Sequence, residues 1–395
     1  MKRSITLGYL NISERGKALV NDVLETNRLS YGKYTQQFEN SFAQQHGCSR
    51  GIFCNSGTSA LQIALAALKE SYGYKDGDEV LVPALTFIAT SNVVLQNGLK
   101  PVFVDVDPHT FNMNPNLIKE KITSRTRAII PVHLFGLPAD MKSIMQIARN
   151  YPYLAVIEDS CETMFAYQDG QPVGSFGDLA CFSTYVAHLI VGGVGGIVTT
   201  KDAILEKLCR SLMAHGRDAI YTNIDQDDTN DNTVLRQMVE RRYNFERVGY
   251  SYRATEFEAA IALSELEHAK DIIFARRANA ALLSAKLQDL SNFLQLPHVP
   301  DGFTHSFMMY PMVLKSGNRD DFLLYLEENG IETRYAFPLL SQPIYRKLFP
   351  GLETEYPVAR HLSERGFFIG IHQGLSYEDI DYVSKIIHVY FGGQP

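Results

Sequence analysis

The chain predicts an α/β fold with a mainly parallel sheet, followed by a smaller C-terminal α/β unit. Two observations carry this. Short apolar runs alternate with stretches of helical periodicity through the first half. The 395 residues also exceed what one compact unit usually takes, so a second unit is expected.

Taken in order, residues 15–46 read as helical segments around a turn at Leu29–Tyr34. Ile52–Cys54 reads as a short strand, and Ala60, Leu61, Ala64, Leu65 and Leu68 then recur at helical spacing. Val80–Pro83, Pro101–Asp105, Ala128–Val132 and Leu154–Glu158 are apolar enough to be buried strands. Helical patterns at 88–97, 115–123 and 138–150 separate them. The polar, acidic run Ile224–Thr233 reads as a surface loop. A long helical stretch over 255–290 leads into the second unit. Strands are expected there at Met308–Leu314 and Ile331–Tyr335, with helices at 319–329, 356–365 and 376–391. The expected division is a large unit over 1–254 and a small C-terminal unit, with its connecting helix, over 255–395.

Composition narrows the function. Lys and Arg number 37 against 44 Asp and Glu, a net charge of −7 with no dense basic stripe, which argues against nucleic acid and anionic membrane as partners. No apolar run approaches the roughly 20 residues of a membrane span. The start lacks the apolar core of a signal peptide. Five cysteines, at 48, 54, 161, 181 and 209, stand apart with no CxxC pair, so neither a disulfide framework nor a metal site is expected. A reducing cytoplasm fits them.

Several stretches carry chemistry. Asn55-Ser-Gly-Thr-Ser-Ala-Leu61 joins a strand to a helix, where backbone N–H groups suit an anion such as phosphate; plain helix capping by Ser56 is the competing reading. Ile157-Glu-Asp159 ends a strand with carboxylates, at the end of the sheet that faces ligands in open α/β folds. His188 follows Ser183 by five residues; an imidazole moves protons near neutral pH but forms no Schiff base. Gly195 and Gly196 suit a close approach of backbone.

The segment Cys181–Thr200 resembles the lysine-bearing segment of the DegT/DnrJ/EryC1/StrS sugar aminotransferases, with His188 on the lysine position. Ser56-Gly-Thr58, Pro131–Gly136, Val248–Glu256, Glu332-Thr-Arg334 and Ile371–Ser376 resemble further blocks of that family in the same order. The resemblance implies the aspartate aminotransferase-like fold, fold type I, and a homodimer whose sites borrow residues from both subunits. It implies pyridoxal or pyridoxamine phosphate (PLP or PMP) as cofactor. Ser56, Gly57, Thr58 and Ser183 would hold its phosphate, Phe87 would stack on its ring, and Asp159 would keep its pyridine nitrogen protonated, with Glu162 alongside. Ser251, where relatives carry asparagine, would reach the neighbouring subunit's cofactor.

His in place of Lys, Glu158-Asp-Ser-Cys-Glu162 and His215-Gly-Arg-Asp218 are similar to the 3-dehydratase branch of that family. The implied activity is dehydration of a nucleotide-linked 4-keto-6-deoxy sugar at C3. His188 and Asp159 are the catalytic pair, Tyr31, Arg334 and His372 the candidate substrate contacts, and glutamate the amino donor. A surface salt bridge is the competing reading of Arg334. The alternatives are a sugar-nucleotide aminotransferase and a non-catalytic binding homologue. Val194 and Ser251 depart from the family pattern, and the close cysteine spacing of an iron–sulfur cluster is absent.

Overall fold

The computed structural model describes residues 3–218, 231–241 and 243–392. Two helices open the chain, α1 (Glu14–Thr26) and α2 (Lys33–Gln45). Alternation then follows: β1 (Arg50–Cys54), α3 (Gly57–Tyr72), β2 (Glu79–Pro83), α4 (Ile88–Gln96), β3 (Lys100–Val104), β4 (Thr126–Ile129), α5 (Met141–Ala148) and β5 (Ala155–Asp159). A two-stranded ribbon, β6 (Tyr167–Gln168) and β7 (Gln171–Pro172), precedes β8 (Leu179–Ser183), β9 (Gly196–Thr200), α6 (Ala203–Met213) and α7 (Asn232–Arg241).

The large sheet has the order β1-β9-β8-β5-β4-β2-β3. β9 pairs antiparallel with β1 and β8, whereas every other pairing is parallel. Strands β2, β5, β8 and β9 are buried along their whole length, because helices cover both faces. This explains why β2 and β5 read as continuous apolar runs rather than alternating ones.

The rest comprises α8 (Glu256–Glu267), α9 (Ala269–Lys286), β10 (Leu294–Gln295), β11 (Tyr310–Leu314), α10 (Arg319–Glu328), β12 (Thr333–Tyr335), α11 (Pro343–Leu348), α12 (Pro357–Arg365), β13 (Gly366–Ile369) and α13 (Tyr377–Tyr390). A four-stranded antiparallel sheet, β10-β11-β13-β12, forms there. Helix α8 packs on α1 and α2, and α9 on α13. The family-like Thr255-Glu256 pair is architectural: the Glu256 carboxylate accepts from the N–H groups of Gly32, Tyr34 and Thr35 at 2.7, 2.9 and 3.1 Å, closing the start of α2.

Two expectations need correction, and a third lies largely outside the described residues. Residues 115–123 hold two 3₁₀ turns, Pro115–Leu117 and Lys119–Lys121, rather than an α-helix. Asn114 caps the first turn, where Pro115 stands, and the second begins at once. The stretch 255–290 is broken at His268 into two helices. The acidic run 224–233 lies mostly outside the described residues, and its described end already enters α7 at Asn232. Of the cysteines, four are buried and Cys161 is partly exposed. No described helix is long and apolar enough to cross a membrane.

Candidate active site

A cavity of about 700 Å³ opens at the C-terminal ends of the parallel strands, between the large sheet and the C-terminal elements. One wall is the first turn of α3. Ser56 caps that helix, accepting from Ser59 N–H at 3.1 Å, so its hydroxyl already serves the cap. The N–H groups of the following first turn have no partner within the helix and face the cavity with Gly57 and Thr58. Gly57 is required there: a Cβ would stand 2.7 Å from Cys161 Sγ and 2.8 Å from Ser183 Cβ. Gly196 makes the close approach expected of it, since its Cβ would meet the Ser56 carbonyl oxygen at 2.3 Å.

The floor is the end of β5 and the turn after it. Asp159 lines the cavity, held by Thr90 Oγ1 donating at 2.8 Å and by Cys161 N–H at 3.2 Å. Burial raises its pKa, and the Thr90 hydroxyl opposes that shift. Glu162 stands beside it, one oxygen accepting from Phe135 N–H at 3.0 Å. Burial pushes this carboxyl up to about 8. Among the described residues neither carboxyl has a cationic side chain in salt-bridge contact, so the floor can receive a positive or proton-bearing group.

Ser183, at the end of β8, and His188, in the loop after it, form a third side. The Ser183 carbonyl lies 3.1 Å from His188 Nδ1. A carbonyl only accepts, so Nδ1 carries the hydrogen and Nε2 keeps a free lone pair. Desolvation lowers the His188 pKa to about 4, with Arg276 adding to the effect, so the imidazole is neutral at pH 7.

Phe87, at the N-terminus of α4, is 53% exposed and lines the cavity, so it is no core residue. It meets Phe337 edge-on, with ring centroids 5.9 Å apart. Arg334 reaches the mouth from β12, where Glu332 pairs with it at 2.5 Å. This arginine thus lines the cavity and pairs with a carboxylate at once.

Two expected residues, His372 and Tyr31, are not brought to this cavity, and Ser251, expected at the neighbouring subunit's cofactor, lies apart from it. His372 is 3% exposed and stacks on Tyr9 with centroids 5.4 Å apart. Its Nε2 lies 3.4 Å from Thr6 Oγ1, so it supports the N-terminal segment from behind. Tyr31 lines a separate small crevice, its ring under Arg210 at 5.6 Å and its hydroxyl 3.5 Å from Glu39. Ser251 is exposed and bridges Ala214.

Sequence reasoning missed Thr90, although it stands three residues after Phe87. It also missed Thr6, Leu7, Gly8, Leu10, Met308 and Met309, which line the cavity. Only the hydroxyl of Thr90 was a usable signal. Among the described residues, no group of three or more His, Cys, Asp or Glu stands close enough to hold a metal ion.

A mainly parallel sheet, a helix N-terminus beside a buried unpaired carboxyl and an exposed aromatic over the same cavity define a fold type I, PLP-dependent enzyme. The DegT/DnrJ/EryC1/StrS aminotransferase family model matches residues 11–388, and the chain belongs to that family. It is 37% identical over 385 residues to the GDP-perosamine synthase of Caulobacter vibrioides, covering 96% of each chain. It is 32% identical over 389 residues to the dTDP-4-dehydro-2,6-dideoxy-D-glucose 3-dehydratase of Saccharopolyspora spinosa, covering 94% of this chain and 82% of that one. Its fold matches the E. coli GDP-4-keto-6-deoxy-D-mannose-3-dehydratase with bound hydrated PLP at a TM-score of 0.86 and 26% identity, covering 98% of this chain and 100% of that one.

Proposed function

We propose that this enzyme removes the C3 hydroxyl of a nucleotide-linked 4-keto-6-deoxy sugar, using PMP held without a covalent bond. One observation carries the reading. Among the described residues that line the cavity there is no lysine, and a neutral imidazole with a free Nε2 occupies the wall.

The residues suit the cofactor. The first turn of α3, with Ser183 opposite, is the phosphate cradle, and Phe87 covers the ring. Asp159 holds a proton on the ring nitrogen. When bound, the cofactor supplies an amine that condenses with a ketone and a ring that withdraws electrons. His188 takes a proton at Nε2 and, as imidazolium, gives one to the departing hydroxyl. Its low pKa makes that imidazolium a strong acid, and the Ser183 carbonyl keeps the ring aimed in both states. Glu162, neutral at pH 7, places a second proton-bearing group on the floor. Arg334 suits the pyrophosphate of a nucleotide sugar.

Glutamate is the proposed amino donor that regenerates PMP. We assign the cofactor-holding unit to 1–254 and the C-terminal unit, with its connecting helix, to 255–395. Exposed Ser251 suits a homodimer in which it faces the partner's site. The unpaired thiols suit the cytoplasm. A sugar aminotransferase is the second reading, favoured by the higher identity to the GDP-perosamine synthase than to the 3-dehydratase.

The test is reduction of the PLP-loaded protein with borohydride, followed by intact mass. The expected result is an unmodified chain, with the PLP of a parallel unreduced sample converted to PMP by glutamate. A phosphopyridoxyl adduct on any lysine overturns the reading in favour of the aminotransferase.

A further inference from the structure

The segment Ile5–Leu10 runs as a strap from the C-terminal elements to the loop that carries His188. At its start it forms a parallel bridge with Ile331, just before β12. Ile5 N–H donates to the Gly330 carbonyl at 2.8 Å, and the Ile5 carbonyl accepts from Glu332 N–H at 2.9 Å. Leu7 N–H then donates to Glu332 Oε2 at 3.0 Å. Two glycines seat the strap on that side. A Cβ on Gly370 would stand 1.9 Å from the Thr6 carbonyl oxygen, and one on Gly374 would stand 2.4 Å from the Tyr9 ring.

On its other side the strap presents a glycine of its own. A Cβ on Gly8 would lie 2.9 Å from the Ala187 Cα and 3.1 Å from the Val186 carbonyl oxygen. These are backbone atoms of the residues immediately before His188. Between the two contacts, Thr6, Leu7, Gly8 and Leu10 form cavity wall.

The base of the His188 loop is pinned from within. Gly192 N–H donates to the Thr184 carbonyl at 2.9 Å, and His188 N–H to the Tyr185 carbonyl at 2.9 Å. Its outer side, at Val186 and Ala187, leans on Gly8. Glu332 meanwhile divides its carboxylate, one oxygen on Leu7 N–H and the other on Arg334.

We propose that the strap positions the catalytic histidine: Gly8 seats the Val186–His188 loop, and Glu332 ties that seat to Arg334. Gly8 and Glu332 are positioning residues that act through the Val186–His188 loop and Arg334. Because Gly8 meets main chain rather than a flexible side-chain tip, even one added methyl must move the loop or the strap. A shift of about 1 Å at a proton-transfer group costs on the order of 10²-fold in rate. The role of His188 rests on the dehydratase reading, whereas its seating does not.

The test uses the full chain with histidine labelled at Cε1, the His188 resonance being assigned by its loss in His188→Asn. In folded Gly8→Ala the resonance is expected to move, with kcat down about 10- to 100-fold and KM for the sugar nucleotide within about threefold. Glu332→Gln keeps an acceptor for Leu7 N–H but loses the charge on Arg334. It is expected to raise KM severalfold and to move the resonance less. A folded Gly8→Ala protein with the wild-type resonance and kcat overturns the proposal. Should Gly8→Ala not fold, an unmoved His188 resonance in Glu332→Gln overturns it, and a moved one supports it. If the product is an amino sugar, the dehydratase reading fails, while the NMR comparison still decides the seating.

Discussion

Two histidine–carboxylate arrangements flank β5, and they differ in what their carboxyls are given. Glu158 is saturated. Its Oε1 accepts from the N–H groups of Phe176 and Gly177 at 2.7 and 2.8 Å, and its Oε2 from Gly174 N–H at 2.8 Å and His133 Nε2 at 3.0 Å. His133 is also complete, since its Nδ1 accepts from Ala139 N–H at 2.9 Å. One residue further along the strand, on the opposite face, Asp159 has a hydroxyl and one N–H. Glu162 has a single N–H, and His188 leaves Nε2 free. Burial without full pairing is costly, so the second arrangement keeps capacity for a ligand, whereas the capacity of the first is spent on the fold. A buried His–carboxylate pair alone does not mark an active site; unsatisfied capacity beside a cavity does.

The comparison breaks most directly by substitution. His188→Asn is expected to lower turnover by about 10²- to 10⁴-fold while PLP or PMP still binds, read by product formation and absorbance. Glu158→Gln should do the reverse, costing about 3 kcal/mol of stability in a denaturant melt with turnover per folded molecule retained. Loss of turnover without loss of stability in Glu158→Gln would erase the distinction. Asp159→Asn, which retains the Thr90 contact, should cost on the order of 10²-fold in turnover.

pH sharpens the same contrast. The His188 pKa is lowered from 6.5 to about 4, so its neutral form is the one the fold favours. The linked stability is therefore present above about 6.5 and is lost as pH falls toward 4. For the free enzyme, the acid limb of kcat/KM should lie near pH 4 rather than 6.5. Glu162 has the opposite displacement, raised from 4.5 to about 8. Above pH 8 it ionises in the cavity, and binding of an anionic nucleotide sugar should weaken severalfold; Glu162→Gln should flatten that limb. A binding effect without a catalytic one is expected at the mouth. Arg334→Met should raise KM about tenfold with kcat little changed, since one charge-assisted contact is lost.

How far the sequence revealed this follows from the same physics. The strands β2 and β5 were legible because both faces are covered and their residues are continuously apolar. β8 and β9 were read only as motif-bearing segments, although they carry Ser183 and Gly196, because five residues bounded by turn formers give little periodicity. His188, Asp159, Glu162, Phe87 and Arg334 were legible from motif register, and the cavity gathers them. His372 was misjudged because register cannot tell a residue on the cavity wall from one behind it. The N-terminal strap was not legible at all: Thr6-Leu-Gly8 carries no periodicity, and its meaning comes from Glu332 and Ala187, far away in sequence. The saturation of Glu158 was equally hidden, because three of its four donors are backbone N–H groups of a loop.

The measurement that bears most directly on the central claim is product analysis of the PMP-loaded enzyme with a 4-keto-6-deoxy sugar nucleotide in the presence of glutamate. The expected product is the 3-deoxy sugar nucleotide, with its formation abolished in His188→Asn. A 4-amino sugar nucleotide, formed equally well by wild type and His188→Asn, would contradict the account.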